Sequence, residues 1–171
     1  REGRPTEDAI LSGRLVDRAI RPLFDQEMRN DVQVILTALS YDGENDTQIP
    51  ALVAASLALS ISNIPWRGPI AGVRVGRVNG QWKINTTFAE RAASDTDIVV
   101  AGAAEKIIMV EAGCKETSED DVIAAMQFGA KQLEPVLEFI KKIQKEVGRE
   151  KINLEERADD KEKELKKAEK E

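Results

Sequence analysis

The chain of 171 residues carries 25 basic and 31 acidic side chains, a net charge of −6, and no histidine. Without imidazole, every Ser-His or Cys-His nucleophile pair and the usual general base are excluded within the chain, and the acidic balance leaves any nucleic-acid contact to locally placed cations. A lone cysteine, Cys114, excludes an intrachain disulfide, no apolar run nears the ~20 residues of a membrane span, and no signal peptide opens the chain, so a cytoplasmic protein with no membrane partner is expected.

The first 24 residues, REGRPTEDAILSGRLVDRAIRPLF, hold five arginines against four acids. Pro5 fits a first helical turn without forfeiting a needed N–H, and Glu7 and Asp8 follow where the helix dipole favours carboxylates. A helix is therefore expected from near Pro5 to Pro22. Ile10, Leu15 and Ile20 tend toward one side, while Arg14, Arg18 and Arg21, at i, i+4 and i+7, share another face. Three aligned guanidinium groups repel one another unless anions sit nearby, and each presents a planar fork suited to phosphate oxygens. An ordinary exposed face, satisfied by Asp17, Glu7 and solvent, is the competing reading.

Val32 to Leu39 is a nearly continuous apolar run, as in a strand buried on both faces. Asp46 and Thr47 offer caps for a mostly buried helix through Pro50 to Ile61, and Asn63 to Pro69 reads as a turn. Ile70–Val78 and Gln81–Ile84 flank Asn79-Gly80, a strong hairpin signal. Ile98–Ala101 and Ile107–Glu111 form a further strand pair. Ser118 with Asp121 resembles a capping box opening a long helix with an apolar stripe from Val122 to Val147, kinked by Pro135. Cys114, between Gly113 and Lys115, reads as a small loop residue. Arg149 to Glu171 holds 8 basic and 9 acidic residues and few apolar anchors, and is expected to form an exposed charged helix.

The wording of the arginine segment, REGRP followed by RLVDRAIRPLF, together with VQVILTALS, ASLALSISNIPWRGPIAGVRVG, DTDIVVAG and SEDDVIAAMQFG, resembles the polynucleotide phosphorylase family. The likeness is to the first of that family's two ribonuclease PH-like domains and covers residues 1–148, with 149–171 as the start of its all-helical linker. It implies an α/β (α+β) fold of the ribosomal S5 domain 2-like, ribonuclease PH type, whose early strands lie before Arg1 and whose absence exposes a sheet edge. It also implies a 3′-to-5′ exoribonuclease in which inorganic phosphate attacks RNA to release nucleoside diphosphates, a homotrimeric ring, and Mg2+ in the second core.

The same resemblance implies a catalytically degenerate core. The family's active copy has a D-x-D-x-K-V-A-G strand that helps hold magnesium, with a carboxylate six positions before the second Asp. Here Asp95 and Asp97 remain, Val99 stands at the lysine position and Arg91 at the upstream one. The active copy also has a serine-rich phosphate turn, to which Asp46, Thr47 and Gln48 correspond; an aspartate there would cap the helix and repel an anion. No catalytic or metal-binding residue is thus expected in this chain, and the chain alone is expected to be inactive. By resemblance Arg14 and Arg18 reach across to the second core's active site, and Arg1 and Arg4 end a loop at the RNA entry channel. The alternative function is a non-enzymatic RNA-binding or assembly module.

Overall fold

Thr6 caps the first helix, its Oγ1 accepting from the Ala9 N–H at 3.2 Å in the computed structural model, which describes residues 3–103 and 106–153. This helix, α1 (Glu7–Ile20), carries Glu7 and Asp8 in its first turn and runs into a short 3-10 turn at Arg21–Leu23, where Pro22 removes the donor that another α-turn would need. Leu15, Val16, Ala19 and Ile20 form its buried side, and the Trp66 indole N–H donates to the Ile20 carbonyl at 3.0 Å.

Downstream come α2 (Gln48–Ile61), the strands β1 (Ala71–Val78) and β2 (Gln81–Ile84), and the short α3 (Phe88–Ala93). Then follow β3 (Thr96–Ala103), β4 (Lys106–Cys114), α4 (Glu119–Lys131) and α5 (Glu134–Val147). The strands make one antiparallel sheet in the order β2-β1-β3-β4. Asn79 and Gly80 turn the β1–β2 hairpin with φ of 51° and 76°, the left-handed pair the dipeptide predicts. Side chains alternate across the pleat. Val99, Ala101 and Met109 face α1 and α2, whereas Val73, Val75, Ile98 and Val100 pack with Ala125, Leu133 and Leu137 from the α4–α5 side. The sheet is the middle of three layers.

Two sequence expectations give way here. Val32–Leu39 is no strand: among the described residues no strand lies alongside it, and a β-segment exists only by exchanging hydrogen bonds with a neighbour. Ile35 and Leu39 stand 75% and 94% exposed instead of buried. The long kinked helix is two helices: Pro135 sits in the first turn of α5, where its missing N–H costs nothing, and Gly129 lets the end of α4 rest directly on Val75 and Val100.

The caps are also divided differently. Ser118 Oγ accepts from Asp121 N, but the Asp121 carboxylate turns to Arg77, so that box stays half-formed. A complete box closes instead at Thr87 and Glu90, heading the unforeseen α3. After α5 the chain runs back onto the end of α2. Arg149 N–H donates to Ile61 O and Ile152 N–H to Asn63 O, while Lys151 Nζ donates to the carbonyls of Leu59 and Ser62, both at 2.7 Å, and of Ser60 at 3.2 Å. The expected charged helix beyond this point lies outside the described residues, apart from its first few positions.

Candidate functional site

Arg74 is a charged residue in the middle of the apolar strand β1, and four groups are built around it. Its side chain is 7% exposed. NH1 donates to Asp97 Oδ1 at 2.6 Å, and NH2 lies 2.6 Å from Gln48 Oε1 and 2.9 Å from Asp46 Oδ2. Asp46 in turn accepts from the Gln48 backbone N–H through Oδ1 at 2.8 Å and from Arg91 NH1 through Oδ2 at 3.1 Å. Arg91 Nε completes the ring at 3.8 Å from Asp97 Oδ2. Two cations and two carboxylates balance, which is what lets Arg74 and Asp46 lie nearly out of water while Arg91 and Asp97 stay partly exposed. Thr47, the other expected cap, makes no side-chain bond at the helix end.

This network occupies both places where chemistry was weighed from sequence. Asp46 fills the N-terminal end of α2 with its own carboxylate, so the anion-binding potential of that helix end is already met from within. Asp97 has its oxygens turned to Arg74 and Arg91. Asp95 is held by Arg77, bidentate at 3.0 and 2.5 Å, and the adjoining guanidinium keeps its carboxyl below the usual carboxylate range. Arg77 also reaches Asp121 at 3.0 Å and stacks over Trp82, and these two carboxylates push its pKa up. Carboxylates already committed to guanidinium groups do not fit a magnesium site, which needs oxygens free to face the ion. Beside the network a groove of about 620 Å³ opens, lined on one side by Ile49, Pro50, Val53 and Leu57 of α2 and on others by Val73, Ile84 and Val136.

The arginine face of α1 is organised otherwise. Arg21 is used up by Asp17 one turn before it, through Nε at 3.0 Å and NH2 at 2.7 Å. Arg18 is held by one end only, NH1 donating to Glu111 Oε2 on β4 at 3.0 Å with the Val110 carbonyl 3.5 Å from NH2. Arg14 is exposed and has no polar partner among the described residues. Arg4 lies in the exposed segment before the helix, and Arg1 is outside the described residues. Of the predicted arginines the structure therefore brings Arg14 and Arg18 together on one helix and leaves Arg4 apart.

Arg74, Val99 and Glu111 fall in one row across β1, β3 and β4. Two strand spacings put the backbones of Arg74 and Glu111 ~10 Å apart on the same side of the sheet. Neither residue was singled out from sequence. The signal for Arg74 was an arginine set between two valines in the first, apolar half of the run AGVRVGRV, whose second arginine is Arg77; for Glu111 there was none, because a single acid in an edge strand is ordinary.

Residues 1–65 match the 3′ exoribonuclease family, domain 1, and residues 68–132 match the same family's domain 2. The chain belongs to the 3′ exoribonuclease family. It is 50% identical over 154 residues to a polyribonucleotide nucleotidyltransferase of Halalkalibacterium halodurans, covering 90% of this chain and 22% of that protein. The like-named protein of Deinococcus radiodurans is 47% identical over the same length, covering 90% of this chain and 20% of its own. This member of the 3′ exoribonuclease family thus spans about a fifth of the length of the curated relatives it matches. The crystal structure of rice (Oryza sativa) Rrp46 superposes with a TM-score of 0.64, at 14% identity, over 82% of this chain and 67% of that one. The two family matches together with that likeness of fold bear out the ribonuclease PH type of fold expected from the motifs.

Proposed function

We propose that this chain is the reaction-inert core of a longer 3′-to-5′ phosphorolytic exoribonuclease, which uses inorganic phosphate to release nucleoside diphosphates from RNA. Residues 1–148 form the ribonuclease PH-like unit and 149–171 open a helical linker toward a second, active core. In that arrangement the second core holds Mg2+, the whole assembles as a homotrimer in the cytoplasm, and this core lends Arg14 and Arg18 to the reacting phosphates, with Arg4 and Arg1 guiding RNA. The observation that carries this reading is the contrast between two sets of arginines. Arg74 and Arg91 are neutralised by Asp46 and Asp97, whereas among the described residues Arg14 has no partner and nothing takes the Nε edge of Arg18.

The role of these open guanidinium groups is electrostatic. In-line displacement at phosphorus spreads negative charge over non-bridging oxygens, and preplaced N–H donors stabilise that charge without moving protons. The phosphodiester bond to the terminal nucleotide breaks as a phosphate oxygen bonds to its phosphorus, so both reacting groups are anions that repel until cations are shared between them. Backbone contacts of this kind hold RNA without reading sequence.

The test is phosphorolysis by the full-length polypeptide carrying Arg14→Ala or Arg18→Ala, with oligo(A) and inorganic phosphate. Each variant loses a charge-assisted contact of about 1.5–3 kcal/mol, so kcat/KM is expected to fall roughly 10- to 150-fold while thermal unfolding stays put. Unchanged kinetics in either variant would end the proposal. Nucleoside diphosphate release from this chain alone would show that the core is not inert.

A further inference from the structure

We infer that Glu111 is a positioning residue for Arg18, setting its guanidinium so that it and Arg14 grip one phosphate group. The inference rests on the reading of Arg14 and Arg18 as anion-binding residues and adds a residue from a different element to it. Among residues 14, 18 and 21, three arginines on one helix have three different states. Arg21 is saturated side-on by Asp17, which takes Nε and NH2 together. Arg14 has no partner among the described residues. Arg18 alone is tied to another part of the fold, and the tie is end-on: Glu111 uses a single oxygen, on NH1.

The manner of that tie matters. A guanidinium carries five N–H donors, and an end-on carboxylate takes one of them. The Val110 carbonyl, at 3.5 Å from NH2, adds at most a weak second contact. The Nε edge remains open, on the helix that also carries Arg14 one turn earlier, where side chains four apart are neighbours. Glu111 is a sound post for this purpose. It sits in β4 opposite Val99, which is 1% exposed, so its backbone is anchored to the central row of the sheet. An exposed arginine without such a post samples many rotamers, and freezing it falls on the binding step.

Glu111 also carries a negative charge near an incoming anion, which acts against binding. The two effects have opposite signs and can be separated. In the full-length polypeptide, KM for inorganic phosphate is measured with oligo(A) saturating, for Glu111→Ala, Glu111→Gln, Arg18→Ala and the double variant. With positioning dominant, E111A raises KM about five- to tenfold with a smaller change in kcat. E111Q, which keeps an oxygen for NH1 without the charge, brings KM back to within about twofold of the parent or below it. E111A adds nothing in the Arg18→Ala background.

If E111A lowers KM or leaves it unchanged while Arg18→Ala raises it, Glu111 is only a repelling charge and the inference is overturned, with the role of Arg18 intact. A further loss from E111A in the absence of Arg18 overturns it equally, since the carboxylate then acts elsewhere. No effect of Arg18→Ala itself removes the parent reading and this one together. Should E111A not fold, Glu111→Asp keeps the charge one methylene short of its partner. It is expected to raise KM as well, and an unchanged KM there is refuting.

Discussion

Asp46→Ala removes the carboxylate that closes the anion end of α2, and the structure allows its cost to be worked out. Asp46 is 12% exposed and its partner Arg74 7%, so the pair is effectively buried, and breaking a buried pair by deleting one member costs about 3–5 kcal/mol. Arg74 keeps Asp97 and Gln48, and Arg91 is 31% exposed and regains water, which lowers the figure. The lost acceptor for the Gln48 N–H restores ~1 kcal/mol of it. A net loss of roughly 3 kcal/mol is expected in urea denaturation of this chain, and Asp46→Asn, which retains an acceptor for that N–H, should lose ~1 kcal/mol less. The variant pocket then holds two arginines against one carboxylate at a helix N-terminus. Inorganic phosphate should therefore stabilise Asp46→Ala and leave the parent unmoved, by about 1.4 kcal/mol once phosphate reaches ten times its dissociation constant. A loss under 1 kcal/mol, or phosphate stabilising the parent as much as the variant, would refute the idea that the site is filled from within.

Two other measurements follow from the same geometry. Asp95 titrates below its ordinary range because Arg77 holds it, so its contribution is complete above about pH 4 and disappears as pH falls through the lowered folded value. The stability gap between the parent and Asp95→Asn should accordingly hold steady down to about pH 5 and narrow as pH falls below about 4, and a gap that stays constant in acid would rule out the pairing. A Cβ added at Gly129 would stand 2.9 Å from Val75 Cγ2 and 3.2 Å from Val100 Cγ2, where neither strand can yield, so Gly129→Ala should cost about 1–3 kcal/mol despite the better helix propensity of alanine. A neutral or stabilising result by thermal denaturation would mean that α4 does not sit directly on the sheet.

What could be read from sequence was local. Asn79-Gly80 turns its hairpin because positive φ is demanded there and supplied by those two residues. Pro22 and Ser118 mark helix ends through backbone donors that lie within a few residues. Val32–Leu39 was misjudged because strand identity belongs to a pair, and apolar content alone cannot supply the partner. Pro135 departs from expectation because one proline serves equally to bend a helix or to begin one, and here it stands in the first turn of α5, after α4 has ended with Gly129 against β1 and β3. At the site, aspartates 46 and 97 and Arg91 were noticed one by one, yet their mutual neutralisation depended on Arg74, which reaches them from a strand 23 to 28 residues away from the first two. The open state of Arg14 and the tether on Arg18 could not be foreseen from a helical wheel, since Glu111 is brought in by the sheet.

The lysine ammonium that gathers three carbonyls at the end of α2 has a mechanical meaning. With Lys151 clasping one end of that helix and Asp46 locking the other, α2 is a strut gripped at both tips. The segment 149–153 is thereby joined to α2 at a welded corner instead of a swivel, so tension on Lys151 would be borne by the strut and delivered to the network of Arg74 at its other tip.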